Sequence, residues 1–422
     1  MIKRKLLTTL LTLAIATTAA LSPQMVHASA AQTDTATISA TQKSSDFQIK
    51  DGVLIKYSGT SKNVKIPNTV KSIGDEAFYC NTSIESVTIP NTVTSIGEAA
   101  FCGCTSLQSL VLPDSVRTVE KAAFSFSGIS SVSLSNELTT IPERCFMACY
   151  NLTSIKFGKK ISIIDDYAFF QCKTMTKLSI PGTVKKLGDN SFFNCWKLTD
   201  IYLPSSLTSI EDTAFDDFYT RAFVCPKNSY AESFLRKKGY SYKYEQTITA
   251  ANISKTYGDK PFYINAKTSS GKKPSYQSSD RSIVSIASDG RAVIRGCGQV
   301  KITMNVSGDS QYTAATKTIQ ITVRPRTMAT CVLRSKAKGQ LSISWKKDPS
   351  VTGYVIKYTS DKAFKKGVKR IDIPKNSISS KTISRLTPNK RYYVCIYSYK
   401  TSGKNRINSS RSKTYSLTVR KK

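Results

Sequence analysis

Apolar and polar positions recur along the first half of the chain with a nearly constant step. From about residue 64 to residue 218, the pattern L-x-x-V-x-I-P-x-x-V-x-x-I-x-x-x-A-F returns seven times. Its phenylalanines are separated by 23, 23, 22, 23, 23 and 23 residues. They are Phe78, Phe101, Phe124, Phe146, Phe169, Phe192 and Phe215. A fixed period in the low twenties predicts a solenoid, in which each unit buries its apolar face only against its neighbours.

The unit at residues 84–101 shows the elements that we expect in every repeat. Ile84, Val87 and Ile89 alternate with polar residues and predict an inward-facing short strand. Pro90 ends this strand, because proline cannot donate a hydrogen bond to a neighbouring strand. The stretch before Phe101 is predicted to form a helical turn that directs the ring into the centre. Stacked units would then place the seven rings in one continuous spine.

Both ends of the repeat region carry segments that break the period. Residues 47–67 alternate apolar and polar positions around Gly52 and Gly59, which predicts a β-hairpin that covers the open edge of the first repeat. Residues 228–245 predict a closing helix.

The phrases SIGDEAF, SIGEAAF and IPNTV resemble the BspA-type leucine-rich repeat, over residues 47–245. This resemblance implies a solenoid of short parallel strands and helical turns with a cap at each end. It also implies an exported protein of the kind that adheres to host or matrix proteins. Ligand residues are not fixed across that family, so none is transferred to this chain.

The 23-residue period is lost after residue 245. Residues 246–325 predict short strands separated by turns such as Gly258-Asp259 and Asp289-Gly290, and they resemble bacterial immunoglobulin-like domains. Residues 326–422 resemble a fibronectin type III domain through GQLSISWKK and LTPNKRYYVCIYSYK. That resemblance implies a core role for Trp345 and a tyrosine corner at Tyr392. The predicted fold is multidomain, a leucine-rich-repeat solenoid followed by two all-β sandwiches.

The N-terminus predicts export. Three basic residues precede an apolar, threonine-dotted run and a small-x-small end, so residues 1–30 are predicted to be a cleaved signal peptide. A membrane anchor is the alternative, but the run is shorter than the roughly 20 apolar residues that a span needs. Residues 31–46 are predicted to be a linker. We expect a secreted protein that associates with the cell wall, and no transmembrane segment after signal removal.

Charge divides the chain unevenly. Residues 245–422 hold 36 Lys and Arg against 8 Asp and Glu, whereas residues 29–244 hold 23 against 20. Such asymmetry predicts that the C-terminal part meets a polyanion. Because the chain is expected to be exported, we expect a cell-wall polyanion or glycan, with host or matrix proteins as further partners. No specific nucleic-acid partner is expected, since the basic residues lack a recognition helix or an RNA-binding motif.

Candidate catalytic chemistry is sparse. The single histidine, His27, lies in the predicted signal peptide, which removes imidazole bases and histidine-ligated zinc from the mature chain. An acid precedes most repeat phenylalanines by three residues, at Asp75, Glu98, Glu143, Asp166, Asp189 and Asp212. These acids suggest calcium binding or acid–base chemistry, or else caps on the helical turns; we favour caps. We expect no catalytic residue, metal site or cofactor.

The 11 cysteines have a positional pattern. Cys104, Cys149, Cys172 and Cys195 each follow a repeat phenylalanine by three residues. In leucine-rich repeats this position satisfies backbone groups, so buried free thiols are expected, with disulfides between stacked turns as the alternative. Cys395 is expected to project away from its domain core and not to pair with Cys331.

Two sets of residues are candidate ligand contacts. The exposed strand positions of the solenoid form a flat, hydroxyl-rich surface without strong aromatic anchors. The residues selected there are Thr88, Ser133, Lys156, Lys177, Ser179 and Tyr202. In the last domain, alternation puts Tyr393, Tyr397 and Tyr399 on one outer face, where they could stack on sugar rings. Ordinary cross-strand packing is the alternative for these tyrosines.

The function predicted from sequence is a non-catalytic binding protein of the bacterial envelope. Its solenoid would present an adhesin-like surface, and its basic sandwiches would contact anionic wall polymer or glycan. Two alternatives stay open. One is a structural or assembly component without a host ligand, and the other is a set of accessory modules of a carboxylate-based glycan hydrolase.

Overall fold

A computed structural model describes residues 42–215, 222–329 and 331–421 of the chain. The predicted signal peptide, His27 and all of the predicted linker before residue 42 lie outside these ranges. The described chain begins with a short 3₁₀ helix at Ser44–Asp46. Among the described residues, no helix is long and apolar enough to cross a membrane.

A β-hairpin opens the solenoid, as predicted. Strands β1 (Phe47–Lys50) and β2 (Val53–Tyr57) pair antiparallel. Asp51 and Gly52 turn the chain with φ values of 52° and 78°. Strand β2 then pairs in parallel with the first repeat, so the hairpin becomes the outermost rung and covers the open edge.

Each repeat contributes two short strands that stack in parallel on the next repeat. The first strand of each unit belongs to the series β3 (Asn63–Lys65), β5 (Ser86–Thr88), β7 (Ser109–Val111), β9 (Ser131–Ser133), β11 (Ser154–Lys156), β13 (Lys177–Ser179) and β15 (Asp200–Tyr202). The second belongs to β4 (Ser72–Ile73), β6 (Ser95–Ile96), β8 (Thr118–Val119), β10 (Thr140–Ile141), β12 (Ile163–Ile164), β14 (Lys186–Leu187) and β16 (Ser209–Ile210). The parallel-strand solenoid inferred from the period is confirmed.

The segment around each repeat phenylalanine is a turn, and the predicted helical turn is wrong. Glu76 and Cys80 have φ values of 55°, and the equivalent Ala99 and Gly103 have values of 53° and 75°. Left-handed residues at this spacing prevent a run of helical hydrogen bonds. Alternate N–H groups bond to the next coil, as in Phe78 N donating to Ala100 O at 2.8 Å, and those between them close local turns, as in Tyr79 N donating to Glu76 O at 3.0 Å.

The repeat phenylalanines form the predicted spine. All seven are at most 2% exposed, and successive ring centroids lie 4.6, 5.5, 5.4, 5.5, 5.3 and 5.5 Å apart. Tyr57 extends the stack at one end, 5.3 Å from Phe78. Phe223 closes the other end edge-on, 5.2 Å from Phe215. Because Tyr57 and Phe223 are themselves 4% and 1% exposed, the column ends inside the protein.

Gly128 accounts for the one repeat of 22 residues. Its N–H donates to Cys104 O at 3.0 Å, and a Cβ at this position would collide with Thr105 O. The chain therefore crosses close to the previous coil with one residue fewer. Gly158, which replaces the strand-ending proline, is equally close to Ser135 O.

The C-terminal cap contains the one α-helix of the described residues. Strands β17 (Ala222–Cys225) and β18 (Tyr242–Tyr244) continue the first-strand series around helix α1 (Tyr230–Lys237). Ser229 caps the helix by accepting a hydrogen bond from Glu232 N at 3.1 Å. The predicted closing helix is confirmed.

The next region is a set of β-sheets around a separate apolar core. Strands β20 (Ile253–Thr256), β27 (Ala315–Arg324), β26 (Gly298–Val306) and β23 (Ser275–Ser278) form one sheet. Strands β21 (Phe262–Tyr263), β25 (Arg291–Ile294) and β24 (Val284–Ile286) form a second. Strands β19 (Ile248–Thr249) and β22 (Lys267–Thr268) form a small third pair. The immunoglobulin-like resemblance stays a prediction.

The last region has two sheets that enclose the core predicted from the fibronectin resemblance. One sheet contains β28 (Cys331–Arg334), β29 (Leu341–Trp345) and β32 (Ser380–Ile383). The other contains β31 (Lys369–Ile373), β30 (Gly353–Thr359), β33 (Arg391–Ser402), β34 (Asn405–Asn408) and β35 (Tyr415–Thr418).

The two residues that the resemblance selected have the expected surroundings, with Trp345 buried and Tyr392 half-buried. Trp345 is 6% exposed and lies edge-on to Tyr354 at 5.3 Å. Thr387 N donates to the Tyr392 hydroxyl at 3.2 Å, which confirms the predicted tyrosine corner.

Candidate ligand-binding surfaces

The strand face of the solenoid consists of the outward side chains of the first strand in each unit. Parallel pairing places Ser133 beside Lys156 and Ser179 beside Tyr202. Thr88, Lys156, Lys177 and Ser179 are exposed, and Ser133 and Tyr202 are half-buried. The sheet pairing is interrupted between β11 and β13. The predicted contacts therefore fall into two groups, one on each side of this break.

Several strand-face side chains already have partners. The Tyr202 hydroxyl donates to Glu245 Oε2 at 3.0 Å, and burial together with that carboxylate raises the pKa of Tyr202 to about 12. Lys177 Nζ lies 3.4 Å from Asp200 Oδ2. Tyr202 thus ties the strand face to the C-terminal cap, and the one aromatic residue among the predicted solenoid contacts serves the fold as well.

The tyrosines of the last domain lie on the predicted face, but the prediction of their exposure is wrong in part. Tyr393 and Tyr397 are half-buried, whereas Tyr399 is 6% exposed and Cys395 is fully buried. Arg406 covers the Tyr399 ring at 3.5 Å from its centroid. Arginine side chains from neighbouring segments form a second layer over this face. The alternation of side chains along β33 predicts which face each residue occupies, but not what covers that face. Cys395 is free, as is Cys331.

The acidic ladder is structural, although not by the predicted capping. Asp75 Oδ1 accepts a hydrogen bond from Glu98 N, and Asp166 Oδ1 accepts one from Asp189 N, both at 2.8 Å. These two acids thus bind the backbone of the next coil, 23 residues later. The other four contact side chains: Glu98 pairs with Lys121, Glu143 with Arg144 and Asp212 with Lys237, and Asp189 accepts from the Thr213 hydroxyl.

The repeat cysteines are buried and free, as predicted. Each thiol donates to the carbonyl oxygen of the repeat phenylalanine in the preceding unit. The distances to Phe78 O, Phe124 O, Phe146 O and Phe169 O are 3.2, 3.2, 3.3 and 3.1 Å for Cys104, Cys149, Cys172 and Cys195. Burial raises the pKa of Cys104 to about 12, so this thiol stays protonated and unreactive near neutral pH.

The turn face carries an aromatic cluster that sequence reasoning missed. Lys173 Nζ lies 4.6 Å from the Tyr150 ring centroid and 4.5 Å from that of Trp196. Trp196 is 47% exposed, and the half-buried rings of Phe170 and Phe193, in the same repeats, stack on each other at 5.9 Å. The 23-residue step that joins residues 150, 173 and 196 could have revealed this turn patch, which we define as Tyr150, Phe170, Lys173, Phe193 and Trp196.

The last domain has an excess of unpaired cations. Residues 331–422 contain 24 Lys and Arg but only three acidic side chains, all aspartates. Asp348 accepts from Ser350 N at 2.9 Å, Asp361 accepts from three backbone N–H groups, and Asp372 pairs with Arg370 and Arg406. Because all three carboxylates have partners, most of the positive charge faces solvent without local compensation.

Among the described residues, no group of three or more His, Cys, Asp and Glu side chains is arranged so that it could hold a metal ion.

Comparisons with known proteins agree with the two architectures in the chain. The BspA type leucine rich repeat region matches residues 49–176 and 139–263, and the fibronectin type III domain matches residues 330–414. No curated protein matches the chain.

Solved bacterial structures are similar to the solenoid. A leucine-rich repeat protein of T. pallidum is 23% identical, covers 48% of this chain and 98% of its own, and has a TM-score of 0.39. A leucine-rich repeat protein of Bacteroides ovatus is 22% identical, with coverage of 45% and 55% and a TM-score of 0.37. A leucine rich cell surface protein of Faecalibacterium prausnitzii is 20% identical, with coverage of 43% and 75% and a TM-score of 0.26. The chain spans about half of the B. ovatus protein.

The family assignment rests on the match to the repeat region, which extends from the N-terminal hairpin past the C-terminal cap. Since it takes in half of the 422 residues, the chain belongs to the BspA-type leucine-rich repeat family.

Proposed function

We propose that this chain is an exported, non-catalytic binding protein of the bacterial cell envelope. Its solenoid presents an adhesin-like surface, and its basic C-terminal sheets contact an anionic wall polymer or glycan. Leucine-rich repeats and fibronectin type III domains are typically binding modules, which supports this role. We also propose the domain boundaries given by the sequence, with 47–245, 246–325 and 326–422 as the three folded parts.

The observation that carries the proposal is the uncompensated charge of residues 245–422. This part holds 36 Lys and Arg against 8 acids. Among its described residues, ion pairs engage Lys272, Arg370 and Arg406. Unpaired surface cations attract a polyanion, which releases counterions on binding and makes the association sensitive to salt.

Salt elution of the full chain from isolated bacterial walls tests the polyanion contact. We expect retention at 0.15 M salt and elution toward 1 M, as the Debye length falls from about 8 Å to about 3 Å. Walls stripped of their anionic polymers are the control and should retain little protein. Retention that does not change with salt would refute the electrostatic contact.

The solenoid offers the strand face and the turn patch, and variants can separate them. Capture of mucin, matrix proteins and wall glycans by the intact chain would be compared with capture by Lys156→Glu and by Trp196→Ala. A loss in the first variant alone supports the strand face, and a loss in the second alone supports the turn patch. If the intact chain captures none of these while wall binding persists, the structural or assembly role replaces the adhesin-like role.

A glycan hydrolase is the weaker candidate. Such an enzyme needs one carboxylic acid that stays protonated near neutral pH. Among the described residues, the carboxyl groups with a displaced pKa are all displaced downward, chiefly by hydrogen bonds; they are Asp114, Asp280, Asp309, Asp361 and Asp372. Release of reducing sugar from walls by the intact chain would favour the hydrolase over the non-catalytic binding protein.

A further inference from the structure

A pocket on the outer face of the β30–β31–β33–β34 sheet brings two unpaired cations together. It has a volume of about 340 Å³, and Lys357, Phe364, Val368, Tyr397, Ser409 and Arg411 line it. This volume lies within the range of small-molecule sites. The lining combines cations, aromatic rings and a hydroxyl group, which is the composition expected of a site for a small anionic ligand.

One wall of the pocket is a loop held by Asp361 and by Thr359, whose hydroxyl donates to Lys366 O at 2.7 Å. Asp361 accepts hydrogen bonds from the N–H groups of Ala363, Lys365 and Lys366 at 2.9, 2.7 and 2.9 Å. These bonds hold Phe364 at a φ of 56°, a left-handed conformation that is costly for a bulky residue. The loop is therefore set before any ligand arrives, with Phe364 at the wall of the pocket.

The opposite wall is pinned to β33 by serine hydroxyls. Ser409 Oγ accepts from Ser398 N at 3.1 Å, and Ser412 Oγ accepts from Ile396 N at 3.0 Å. Arg411 lies between these two anchors. Its guanidinium carbon is 5.1 Å from the centroid of Phe364, so the two walls meet through this contact.

The cations of the pocket have no local counter-charge. Neither Lys357 nor Arg411 forms an ion pair with a described residue. The nearest candidates are occupied, because Asp361 binds its own loop and Asp372 binds Arg370 and Arg406. Lys357 Nζ lies 5.9 Å from the Tyr397 ring centroid. Lys357 pairs with Cys395 across β30 and β33. Burial raises the pKa of the Cys395 thiol, and the charges of Arg411 and Lys357 oppose this rise.

We propose that this pocket binds one anionic sugar unit, with the carboxylate or phosphate between Arg411 and Lys357 and the ring carbons against Phe364 and Val368. A guanidinium that rests on an aromatic ring keeps its N–H groups free for bidentate hydrogen bonds to an oxyanion. The inference rests on the proposed contact with anionic glycan and narrows it from diffuse attraction to a defined site.

Calorimetric titration of the full chain tests the site. Glucuronic acid and glucose 6-phosphate would show which anion binds, while glucose and inorganic phosphate test the need for both parts of the ligand. We expect at least one of the anionic sugars to bind at least tenfold more tightly than glucose and than phosphate. Arg411→Gln should weaken this binding at least tenfold, and Arg411→Lys should weaken it less.

Lys381→Gln is the matched control, because it removes one exposed cation from β32 on the other sheet. It should change the affinity less than twofold. Equal losses in the two glutamine variants, or equal binding of glucose and the anionic sugars, would overturn the site. So would phosphate that binds as tightly as glucose 6-phosphate. A thermal midpoint within the range of the wild type shows that Arg411→Gln is folded.

Wall binding separates this inference from the proposed function. If the pocket is wrong but the polyanion contact is right, Arg411→Gln and Lys381→Gln will reduce wall retention equally and both will remain salt-sensitive. If the polyanion contact is wrong, the walls will not retain the chain even though the anionic sugars bind to the pocket.

Discussion

The phenylalanine spine makes a sharp prediction about stability, because two adjacent phenylalanines differ only in their position. Phe169 is fully buried, with Phe146 at 5.5 Å and Phe192 at 5.3 Å. Phe170 is half-buried on the turn face and stacks on Phe193 at 5.9 Å. Alanine at each position in turn removes the same atoms from the two environments.

The expected losses differ by about 2 kcal/mol. Phe169→Ala removes a whole ring from a close-packed column and should cost about 3–5 kcal/mol. Phe170→Ala removes two ring contacts at the surface, the stack on Phe193 and an edge contact with Tyr167 at 5.6 Å, and should cost about 1–3 kcal/mol. Because each unit contacts only its neighbours, the effect of Phe169→Ala should be strongest in the repeats around Phe146 and Phe192 and should fade beyond them.

Hydrogen–deuterium exchange of the intact chain measures this repeat by repeat and separates the solenoid from the sheets that follow. A loss of 3–5 kcal/mol accelerates exchange by about 100- to 4,000-fold, since 1.4 kcal/mol corresponds to a factor of ten. An acceleration below tenfold for Phe169→Ala, or equal effects of the two variants, would show that the buried column does not carry the solenoid.

Three further predictions concern thiols and tyrosines. In the native chain, a thiol reagent at pH 8 should quickly modify Cys80, the exposed cysteine. It should modify buried thiols only after denaturation, for example Cys102, whose pKa is raised to about 12 by burial. Rapid modification of several thiols in the native chain would contradict this. The pKa of Tyr202 is raised to about 12, so the stabilising contribution of its proton is complete below pH 10 and is lost as pH rises toward 12. Tyr202→Phe should therefore flatten the alkaline fall of the thermal midpoint, whereas the exposed Tyr230→Phe should leave it unchanged. Tyr392→Phe should lower the free energy of unfolding in urea by about 0.5–1.5 kcal/mol, because the hydrogen bond from Thr387 N is lost. An unchanged urea midpoint would show that the tyrosine corner does not stabilise this domain.

Sequence reasoning succeeded where one side chain has one structural role in every copy. The step of the phenylalanines predicted the spine, and the cysteines three residues later were predicted to be buried free thiols that satisfy the backbone. Both predictions depend on neighbours one period away, and the period itself supplies their positions.

The same reasoning failed for the segments around the rings. A helical turn and a left-handed turn have similar lengths and the same apolar residues, so the pattern does not distinguish them. The acids before the rings were assigned to caps for this reason, whereas Asp75 and Asp166 bind the following coil.

The repeated pattern by itself determined the solenoid, its buried column and the alternation of strand faces, because each of these follows from spacing along one chain. Only the tertiary structure decided which outward side chains meet solvent. Tyr399 and Cys395 lie on the predicted outer face, yet both are buried, and Arg406 covers the Tyr399 ring. Lys357 and Arg411 are 54 residues apart along the chain. The pocket between them likewise forms only because the folded chain brings a loop and the segment around Arg411 together on one sheet. Exposure depends on such distant contacts, and no local period records them.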